Sequence, residues 1–284
     1  MILEPTGLER LSEITALQRR YDEHWFGEPE NDADEVQEWL ELGDRRCLVR
    51  DGDRVAAAAT VWRTGSSVVI DPGADVAAAA ALIVPWLAEA GAPTTEVFDR
   101  DAALRGELLS AGWRYAYSSF DLFRAVDASW TLPAPTWPAG VQVRRLEPPD
   151  ERALHDLIYR DAAWADVPGH HVRDFDEWRA IFLKGDRDEE RPLLAARDDR
   201  LVGAVLPRLF SDGVGWIAQL AVAGAERGRG LGRALLLAGF DGLVHAGASK
   251  LGLGVLAENE SALRLYVGIG LRVDREWQTF AAPA

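Results

Sequence analysis

The sequence has very little cysteine and very little lysine. Among its 284 residues there is one cysteine, Cys47, so no disulfide can form within the chain. Disulfides are rare in reducing compartments, and this cysteine usage therefore fits a cytoplasmic protein. Of the 31 basic residues only Lys184 and Lys250 are lysines, and the others are arginines. We attribute this bias to genomic base composition rather than to function.

Long apolar runs and an excess of positive charge are also missing. No apolar stretch approaches the roughly 18 residues that a membrane-spanning helix needs. The first residues, MILEPTGLERLSE, have no basic region followed by an apolar core, so they do not have the pattern of a signal peptide. The formal net charge of −15 argues against nucleic acid or an anionic membrane as the main partner. An acidic chain suits a cationic or amine-bearing partner instead.

The length of 284 residues favours two domains, and the order of predicted elements repeats. Residues 1–127 give two helices, three strands, and then helix, strand, helix and strand. Residues 140–284 give one strand and then the same order, so the chain is expected to contain two copies of one fold. The stretches LLSAGWRY (Leu108–Tyr115) and YVGIGLRV (Tyr266–Val273) are similar even in local sequence. Residues 128–139, with three prolines and two tryptophans, are expected to form an extended, semi-rigid linker.

The segment from Trp216 to Leu237 reads as a strand, a tight glycine turn and a helix. Its first part, Trp216 to Val222, is apolar and free of charge, which is typical of a buried strand. Glycine in the turn permits a positive φ and lets a ligand approach the backbone closely. A helix that starts directly after such a turn leaves its first N–H groups unpaired, at the positive end of the helix dipole. This pattern predicts a site for a phosphate or pyrophosphate.

Two common phosphate-binding motifs do not fit the turn. A P-loop requires Gly-Lys-Ser/Thr at the start of the helix, whereas Arg233 follows Gly232 here. A dinucleotide-binding fingerprint requires Gly-x-Gly-x-x-Gly. Gly228 and Gly230 satisfy its first two positions, but Arg233 stands at the third, and no acidic residue follows at the ribose-binding distance. A plain glycine-rich turn without a ligand is a further alternative.

The spacing Arg-x-x-Gly-x-Gly, formed by Arg227, Gly230 and Gly232, resembles the acetyl-CoA pyrophosphate loop of the GNAT acetyltransferases. A second stretch, AENESALRLYVGIGLRVDREWQTF, resembles the C-terminal GNAT signature, in which an Asn opens a helix, a Tyr follows two turns later, and a Gly-hydrophobic pair leads into the last strand. The matching residues are Asn259, Ala262, Leu265, Tyr266, Gly270 and Leu271. Asn259 is also a natural helix N-cap. The resemblance is specific from about Trp216 to Thr279.

The resemblance implies an α/β (α+β) protein with two tandem GNAT-like domains. Each domain would be a mixed, mostly antiparallel, twisted sheet flanked by helices, with borders at residues 1–127 and 140–284. The residues expected to bind acetyl-CoA are Leu220, Ala221, Val222, Arg227, Gly228, Arg229, Gly230, Leu231, Gly232, Arg233, Asn259, Ala262 and Tyr266. No metal ion is implied.

The first copy differs from the second at the turn. It has Asp71-Pro72-Gly73-Ala74-Asp75 where the second has the Arg-x-x-Gly-x-Gly turn, and two carboxylates there would repel a pyrophosphate. At the position of Tyr266 it has Leu104 or Leu108. We therefore interpret the first copy as a degenerate GNAT-like domain that no longer binds the cofactor. An unrelated α/β domain is the alternative.

The chemistry that the resemblance implies is direct attack of an amine on the thioester carbonyl of acetyl-CoA within a ternary complex. A backbone N–H near Leu220 to Val222, at a splay in the sheet, would polarise the carbonyl, and the pantetheine would run beside that strand. Asn259 would hydrogen-bond the pantetheine. Tyr266 would be the general acid that protonates the departing thiolate.

The general base stays open between several residues. Asp166, His170 and His171 lie in a loop that borders the acceptor pocket in the family, and a histidine there could accept a proton near neutral pH. Glu226 and Glu258 are further candidates, and a water chain is an alternative to all of them. Asp166 could instead attract a cationic acceptor. Two surface histidines without a function are the simpler interpretation of the pair, and no Cys or third His lies near enough to predict a metal site.

Two classes of function fit these residues. The first is an N-acetyltransferase that acts on a small amine, a peptide or an amino-terminal group, as a monomer or homodimer. The second is a non-catalytic acyl-CoA-binding sensor or scaffold. Tyr266 favours the first class, because a sensor needs no acid for a leaving group. A tandem acetyltransferase of the mycothiol synthase type, in which the C-terminal copy is the active one, is a further alternative.

Overall fold

The computed structural model describes residues 1–164, 171–183 and 188–283. The chain divides into two compact units: unit 1 comprises Met1–Ser119 and Arg275–Ala284, and unit 2 comprises Phe120–Asp274. Each unit combines β-strands with flanking helices, so the predicted α/β class is confirmed. The two sequence copies, residues 1–127 and 140–284, have other borders than these two units. The borders of the copies stay a prediction about the sequence repeat.

Unit 1 contains an antiparallel sheet in the order β1-β2-β3-β4. In the same unit β5 pairs antiparallel with β12, from Thr94–Ala281 to Phe98–Trp277. The elements are β1 (Ile2–Pro5), α1 (Leu11–Phe26), α2 (Ala33–Glu41), β2 (Arg45–Asp51), β3 (Arg54–Trp62), β4 (Gly65–Ile70), α3 (Val76–Glu89), β5 (Thr94–Phe98), α4 (Ala102–Ser110), the first half of β6 (Arg114–Ala125) and most of β12 (Arg272–Ala281).

The alanine-rich helix α3 fills the core of unit 1. Ile83 and Leu87 are fully buried against β2 and β3, where Cys47 and Ala57 are equally inaccessible. The helix continues through Pro85, at which the sequence alone would allow a kink. Small alanine side chains let α3 lie close to the sheet, so many weak contacts together stabilise the unit.

Unit 2 contains six strands in the order β6-β11-β10-β9-β8-β7. Strands β10 and β11 are parallel, whereas β9 pairs antiparallel with both β8 and β10, and β7 pairs antiparallel with β8. The elements are the second half of β6, β7 (Gln142–Arg145), α5 (Glu151–Asp156), α6 (Phe175–Phe182), β8 (Leu193–Arg197), β9 (Arg200–Leu209), β10 (Val214–Val222), α7 (Leu231–His245), β11 (Lys250–Leu256) and α8 (Glu260–Gly268). The predicted, mostly antiparallel sheet is confirmed.

The sheet of unit 2 carries two separate hydrophobic clusters. Leu236 and Phe240 of α7 belong to one of them, together with the linker tryptophans Trp130 and Trp137 at its margin. Leu154 of α5 and Trp178 of α6 belong to the other. The helices therefore pack on the sheet in two groups, which fits the alternation of inward-facing residues along its strands.

Strands β10 and β11 diverge part-way along their length. Their parallel pairing runs from Val214–Lys250 to Ile217–Leu253, whereas β10 continues to Val222 and β11 to Leu256. A β-bulge at Ala218 shifts the register between β9 and β10 just beyond this point. Because of the extra residue, Ile217 faces the cluster of α7, whereas Ala221 faces the cluster of α5 and α6. The predicted splay in the sheet is thus present.

In the described ranges, no helix is long and apolar enough to cross a membrane.

Candidate functional site

The glycine turn holds the start of α7 in a conformation that favours glycine. Gly228 has φ +74° and Gly230, the N-cap of α7, has φ +85°, and both values lie in the left-handed region. No side chain caps this helix. The first bond within the helix runs from the Ala234 N–H to the Gly230 carbonyl, over 3.0 Å. The N–H groups of Leu231, Gly232 and Arg233 therefore have no partner in the helix and face its open end.

Side-chain caps distinguish α7 from most other helices. Five of the α-helices in the described part of the chain begin with a side-chain cap. Their caps are Asp32 for α2, Asp75 for α3, Asp101 for α4, Asp174 for α6 and Asn259 for α8. Helices α1 and α5 instead continue directly from a 3₁₀ turn. Helix α7 is separated from the preceding 3₁₀ turn, Gly224–Glu226, by the glycine-containing residues 227–230 and still lacks a cap, which leaves its N-terminus available to an external anion.

The charges around this turn are mainly positive. Arg227 and Arg229 lie on it and Arg233 lies in the first turn of α7, while the one carboxylate of this segment, Glu226, is only 8% exposed. Both oxygens of Glu226 accept hydrogen bonds from Arg197, at 3.1 and 3.3 Å, and Arg229 approaches to 3.6 Å. The bound carboxylate stabilises the turn and its charge is neutralised. This arrangement disfavours Glu226 as a general base.

Arg227 anchors the turn to the rest of unit 2. Its Nη2 donates to the carbonyl oxygen of Ala162 over 2.6 Å, and its Nε donates to the carbonyl of Val222 over 3.3 Å. Ala162 directly follows a π-helical turn, Leu157–Asp161, that extends α5. The Arg227 side chain therefore ties the glycine turn both to β10 and to the end of the first helix of the unit.

The end of β10 leads from the bulge to the glycine turn. Leu220 and Val222 are half-buried and pair with Val205 and Gly203 of β9, and Ala221 between them is fully buried. In an antiparallel pair, alternate backbone groups point away from the partner strand. Between Leu220 and Val222, the backbone groups that point away from β9 face the space where β10 has diverged from β11. The pantetheine of acetyl-CoA is expected in this space. Their part in binding stays a prediction.

Helix α8 carries the two residues singled out from the C-terminal signature. The Asn259 Oδ1 accepts the Ala262 N–H over 3.2 Å and the Ser261 hydroxyl over 3.0 Å, so the predicted N-cap is confirmed. The amide nitrogen of Asn259 is the donor that the predicted pantetheine contact would use. Tyr266 is only 8% exposed, and burial raises its pKa to about 12. Its phenol therefore keeps its proton throughout the neutral range, as a general acid must.

Three of the candidates for the general base, His171, Glu226 and Glu258, lie in the described part of the chain. Asp166 and His170 lie outside the described residues. His171 is exposed. Glu258, on the turn before α8, is exposed as well. Gln219, which follows the bulge, is buried and accepts a hydrogen bond from the Trp178 Nε1 over 3.0 Å. In the described residues, no group of three or more His, Cys, Asp and Glu could hold a metal ion.

The turn of the first copy is filled by its own carboxylates. Asp71, only 1% exposed, accepts the Gly73 N–H over 2.9 Å and bonds to Arg20 and Arg54 over 2.7 and 2.8 Å. Burial opposes ionisation of Asp71, but these three donors outweigh it and lower its pKa. Asp75 caps α3 through the Ala78 N–H. In the first copy, side-chain carboxylates thus bind backbone N–H groups of the turn and of the start of α3. The start of α7 has no such carboxylate.

One group of residues beside the divergence was missed from the sequence. The second half of β6, from Phe120 to Ala125, belongs to unit 2, although the sequence assigned this strand to the first copy. The Phe123 ring lies 5.7 Å from that of Trp216 on β10. Asp121 lies on the same face of β6, two residues earlier. No local signal in the sequence indicates that β6, which carries Asp121 and Phe123, would lie next to β11.

Comparison with known proteins identifies the family of this chain. Residues 152–270 match the model of the Acetyltransferase (GNAT) family. A protein named mycothiol acetyltransferase from Thermobispora bispora is 30% identical over 287 residues, which cover 94% of this chain and 88% of that protein. The chain belongs to the GNAT family of acetyltransferases. Two other relatives of the same name, from Thermomonospora curvata and Renibacterium salmoninarum, match about half of the chain, and these matches cover 46% and 45% of their own lengths.

Solved structures agree with a tandem GNAT arrangement. The GCN5-related N-acetyltransferase from Sphaerobacter thermophilus superimposes with a TM-score of 0.80 at 26% identity, over 99% of this chain and 95% of that one. A tandem GNAT protein from the clavulanic acid biosynthesis pathway matches with a TM-score of 0.72 over 100% of both chains. At 17% identity, the second match shows the fold alone. The predicted tandem GNAT fold is confirmed.

Proposed function

We propose that this chain transfers the acetyl group of acetyl-CoA to a primary amine, with the site in the second copy. The observation that carries the proposal is the uncapped N-terminus of α7, which follows β10 through the glycine turn, and β10 is the strand that diverges from β11. Helix N–H groups and three arginines suit the diphosphate of CoA, and the edge of β10 suits its pantetheine. The first copy, whose turn is filled by Asp71 and Asp75, does not bind the nucleotide.

Each residue of the site has a defined part in the proposed reaction. The N–H groups of Leu231 to Arg233 hold the diphosphate. A backbone N–H between Leu220 and Val222 stabilises the developing charge on the thioester oxygen. The neutral amine nitrogen forms a bond to the carbonyl carbon, the carbon–sulfur bond breaks, and the Tyr266 hydroxyl donates its proton to the sulfur. The proton that the nitrogen loses passes to water, and water returns a proton to the Tyr266 phenolate. Asn259 orients the pantetheine.

We propose a mycothiol-related amine as the acceptor, in the cytoplasm. Relatives named mycothiol acetyltransferase support this choice, including one whose match covers 88% of its length. The net charge of −15 favours a cationic amine over an anionic acceptor. Cys47, buried and reduced, agrees with a reducing compartment.

The test measures CoA release from acetyl-CoA with deacetylated mycothiol and with a panel of simple primary amines. We expect turnover that depends on the amine, and a large loss of kcat in Tyr266→Phe with unchanged affinity for acetyl-CoA. Tight acetyl-CoA binding without turnover on any amine would favour the sensor instead. Failure to bind acetyl-CoA would refute both functions.

A further inference from the structure

We propose that the side-chain amide of Gln219, on β10, donates a hydrogen bond to an oxygen of the acceptor and thereby positions the amine for attack. The acceptor would carry this oxygen on the carbon next to the amine-bearing carbon, as vicinal amino alcohols and α-amino amides do. This inference rests on the proposed acetyl transfer, and it names a specificity residue on the acceptor side of that site.

The bulge on β10 places Gln219 on the opposite face of the sheet from Ile217. Before the bulge, Ile217 packs in the cluster that contains α7. After the bulge, Gln219 bonds to Trp178 of α6, in the cluster of α5 and α6. A regular strand would direct both residues to one face, because they are two positions apart. The extra residue at Ala218 therefore turns the amide of Gln219 away from α7.

The bond with Trp178 fixes the orientation of this amide. An indole N–H can only donate, so the Trp178 Nε1 selects the amide oxygen of Gln219, at 3.0 Å. Trp178 is fully buried and Gln219 is 3% exposed, so both side chains are held by their surroundings. The Nε2 group of Gln219, with its two N–H donors, consequently points away from the indole.

Within the described ranges, no group accepts a hydrogen bond from the Gln219 Nε2. The bond from Trp178 is the one hydrogen bond of this side chain among the described residues. A buried N–H without a partner costs free energy, and buried polar groups are therefore nearly always paired. Support of Trp178 requires the oxygen of the amide alone. The two donors on Nε2 are thus available to a bound molecule.

The amide lies next to the place where the thioester would react. Gln219 directly precedes Leu220, at which the proposed backbone donors to the thioester oxygen begin, and one strand residue spans only about 3.4 Å. The last pair with β11, Ile217–Leu253, lies two residues before Gln219. An attacking amine must come within roughly 3–3.5 Å of the carbonyl carbon. An oxygen two carbon atoms away from that amine can therefore contact the Gln219 amide at the same time.

The acid and the acceptor would act from opposite faces of the sheet. Tyr266 belongs to the cluster of α7, whereas Trp178 belongs to the cluster of α5 and α6. The proposed acid thus reaches the sulfur from one face, which leaves the other face to the amine. Among the side chains of β10, all of which are described, Gln219 is the only amide or charged group. It is therefore the residue of this strand that can recognise a polar acceptor.

The test measures kcat/KM for two amines of equal size, 2-aminoethanol and propylamine, at saturating acetyl-CoA. In the first a hydroxyl replaces the methyl group of the second. We expect wild type to prefer 2-aminoethanol about 10-fold, the effect of one hydrogen bond, and Gln219→Leu to lose this preference. The Kd for acetyl-CoA should change less than about twofold. Gln142→Leu removes an exposed amide from β7 and should keep every wild-type value.

Trp178→Phe separates a bond to the acceptor from the packing of α6. This variant lacks the indole N–H but retains the Gln219 amide, so its preference for 2-aminoethanol should stay above about threefold. A purely structural role of Gln219 predicts equal losses in Gln219→Leu and Trp178→Phe. The double variant Gln219→Leu/Trp178→Phe leaves no unpaired indole N–H, and it replaces Gln219→Leu in the comparison if thermal unfolding shows that the single variant does not fold.

The outcomes distinguish this inference from the proposed function. Turnover of both amines without a preference in wild type, an unchanged preference in Gln219→Leu, or an equal loss in Trp178→Phe would refute the role of Gln219 and leave acetyl transfer intact. If wild type acetylates deacetylated mycothiol but neither small amine, the KM for deacetylated mycothiol replaces the ratio. It should then rise about 10-fold in Gln219→Leu and less than about threefold in Trp178→Phe. Absence of turnover on every amine would refute both.

Discussion

Replacing Gly230 with alanine tests the turn before α7 with the smallest possible side chain. At φ +85° and ψ −4°, an L-residue is strained by about 1–2 kcal/mol. A Cβ on Gly230 would meet no atom within 4 Å, so steric overlap adds nothing to this cost. We therefore expect the variant to fold, with a free energy of unfolding reduced by about 1–2 kcal/mol.

The effect on acetyl-CoA binding should be larger than the effect on stability. The added methyl group is attached next to the N–H group of Leu231, the first of the N–H groups that would hold a diphosphate oxygen. One hydrogen bond to a charged group contributes about 1.5–3 kcal/mol. Loss of one such bond, at about 2 kcal/mol, weakens binding roughly 30-fold. Isothermal titration calorimetry with acetyl-CoA measures the affinity, and thermal unfolding measures the stability.

Gly247→Ala is the matched control. Gly247 follows the other end of α7 with φ +97°, and its Cβ would also meet nothing within 4 Å. The control should lose a similar amount of stability and keep the wild-type Kd for acetyl-CoA. Equal affinity in Gly230→Ala and wild type would remove the turn from the binding site. Equal weakening in both variants would show that backbone strain, rather than the position of the methyl group, lowers the affinity.

Three further substitutions test other residues of the two turns and of α8. Tyr266→Phe should lower kcat about 100-fold without changing acetyl-CoA affinity. Because burial raises the pKa of Tyr266 to about 12, its phenol stabilises the folded state up to pH 10 and loses this contribution between pH 10 and 12. Stability measured across that range should fall more steeply in wild type than in the variant, and parallel curves would contradict the burial argument. Glu226→Gln should lower the free energy of unfolding by about 1–3 kcal/mol through loss of the charge on its bond to Arg197. It should leave the shape of the pH–rate profile unchanged, and a lost acidic limb would identify Glu226 as the base. Asp71→Asn should destabilise the protein at pH 7, and the difference from wild type should shrink as the pH falls below 3.8, because the pKa of Asp71 is lowered in the folded state. A difference that grows on acidification would contradict this sign.

The sequence predicted much of the site in the second copy because local chemistry determines it. Glycines at 228 and 230 adopt the positive φ that their spacing indicated, and Asn259 caps its helix as an Asn before a helix commonly does. The element order was also readable, because strands and helices differ in the period of their apolar residues. The edge strand β1 escaped notice, since four residues that include Pro5 give no such period.

Features that depend on distant parts of the chain could not be predicted. The bulge at Ala218 has no marker residue, yet it decides that Gln219 is buried and bonded to Trp178. The sequence made Glu226 a candidate for the general base, because it does not show that Arg197 bonds to this carboxylate in the folded chain. Asp121 belongs to unit 2 only because β6 pairs with β11, a long-range pairing that periodicity alone does not reveal.

A crystal structure of the chain with acetyl-CoA tests most directly whether the start of α7 binds the diphosphate. We expect diphosphate oxygens within about 2.7–3.2 Å of the backbone nitrogens of Leu231, Gly232 or Arg233, with pantetheine beside Leu220 to Val222. We also expect no nucleotide at the turn of residues 71–75. Diphosphate density at that first turn, or protein side chains filling the space before α7, would contradict this assignment.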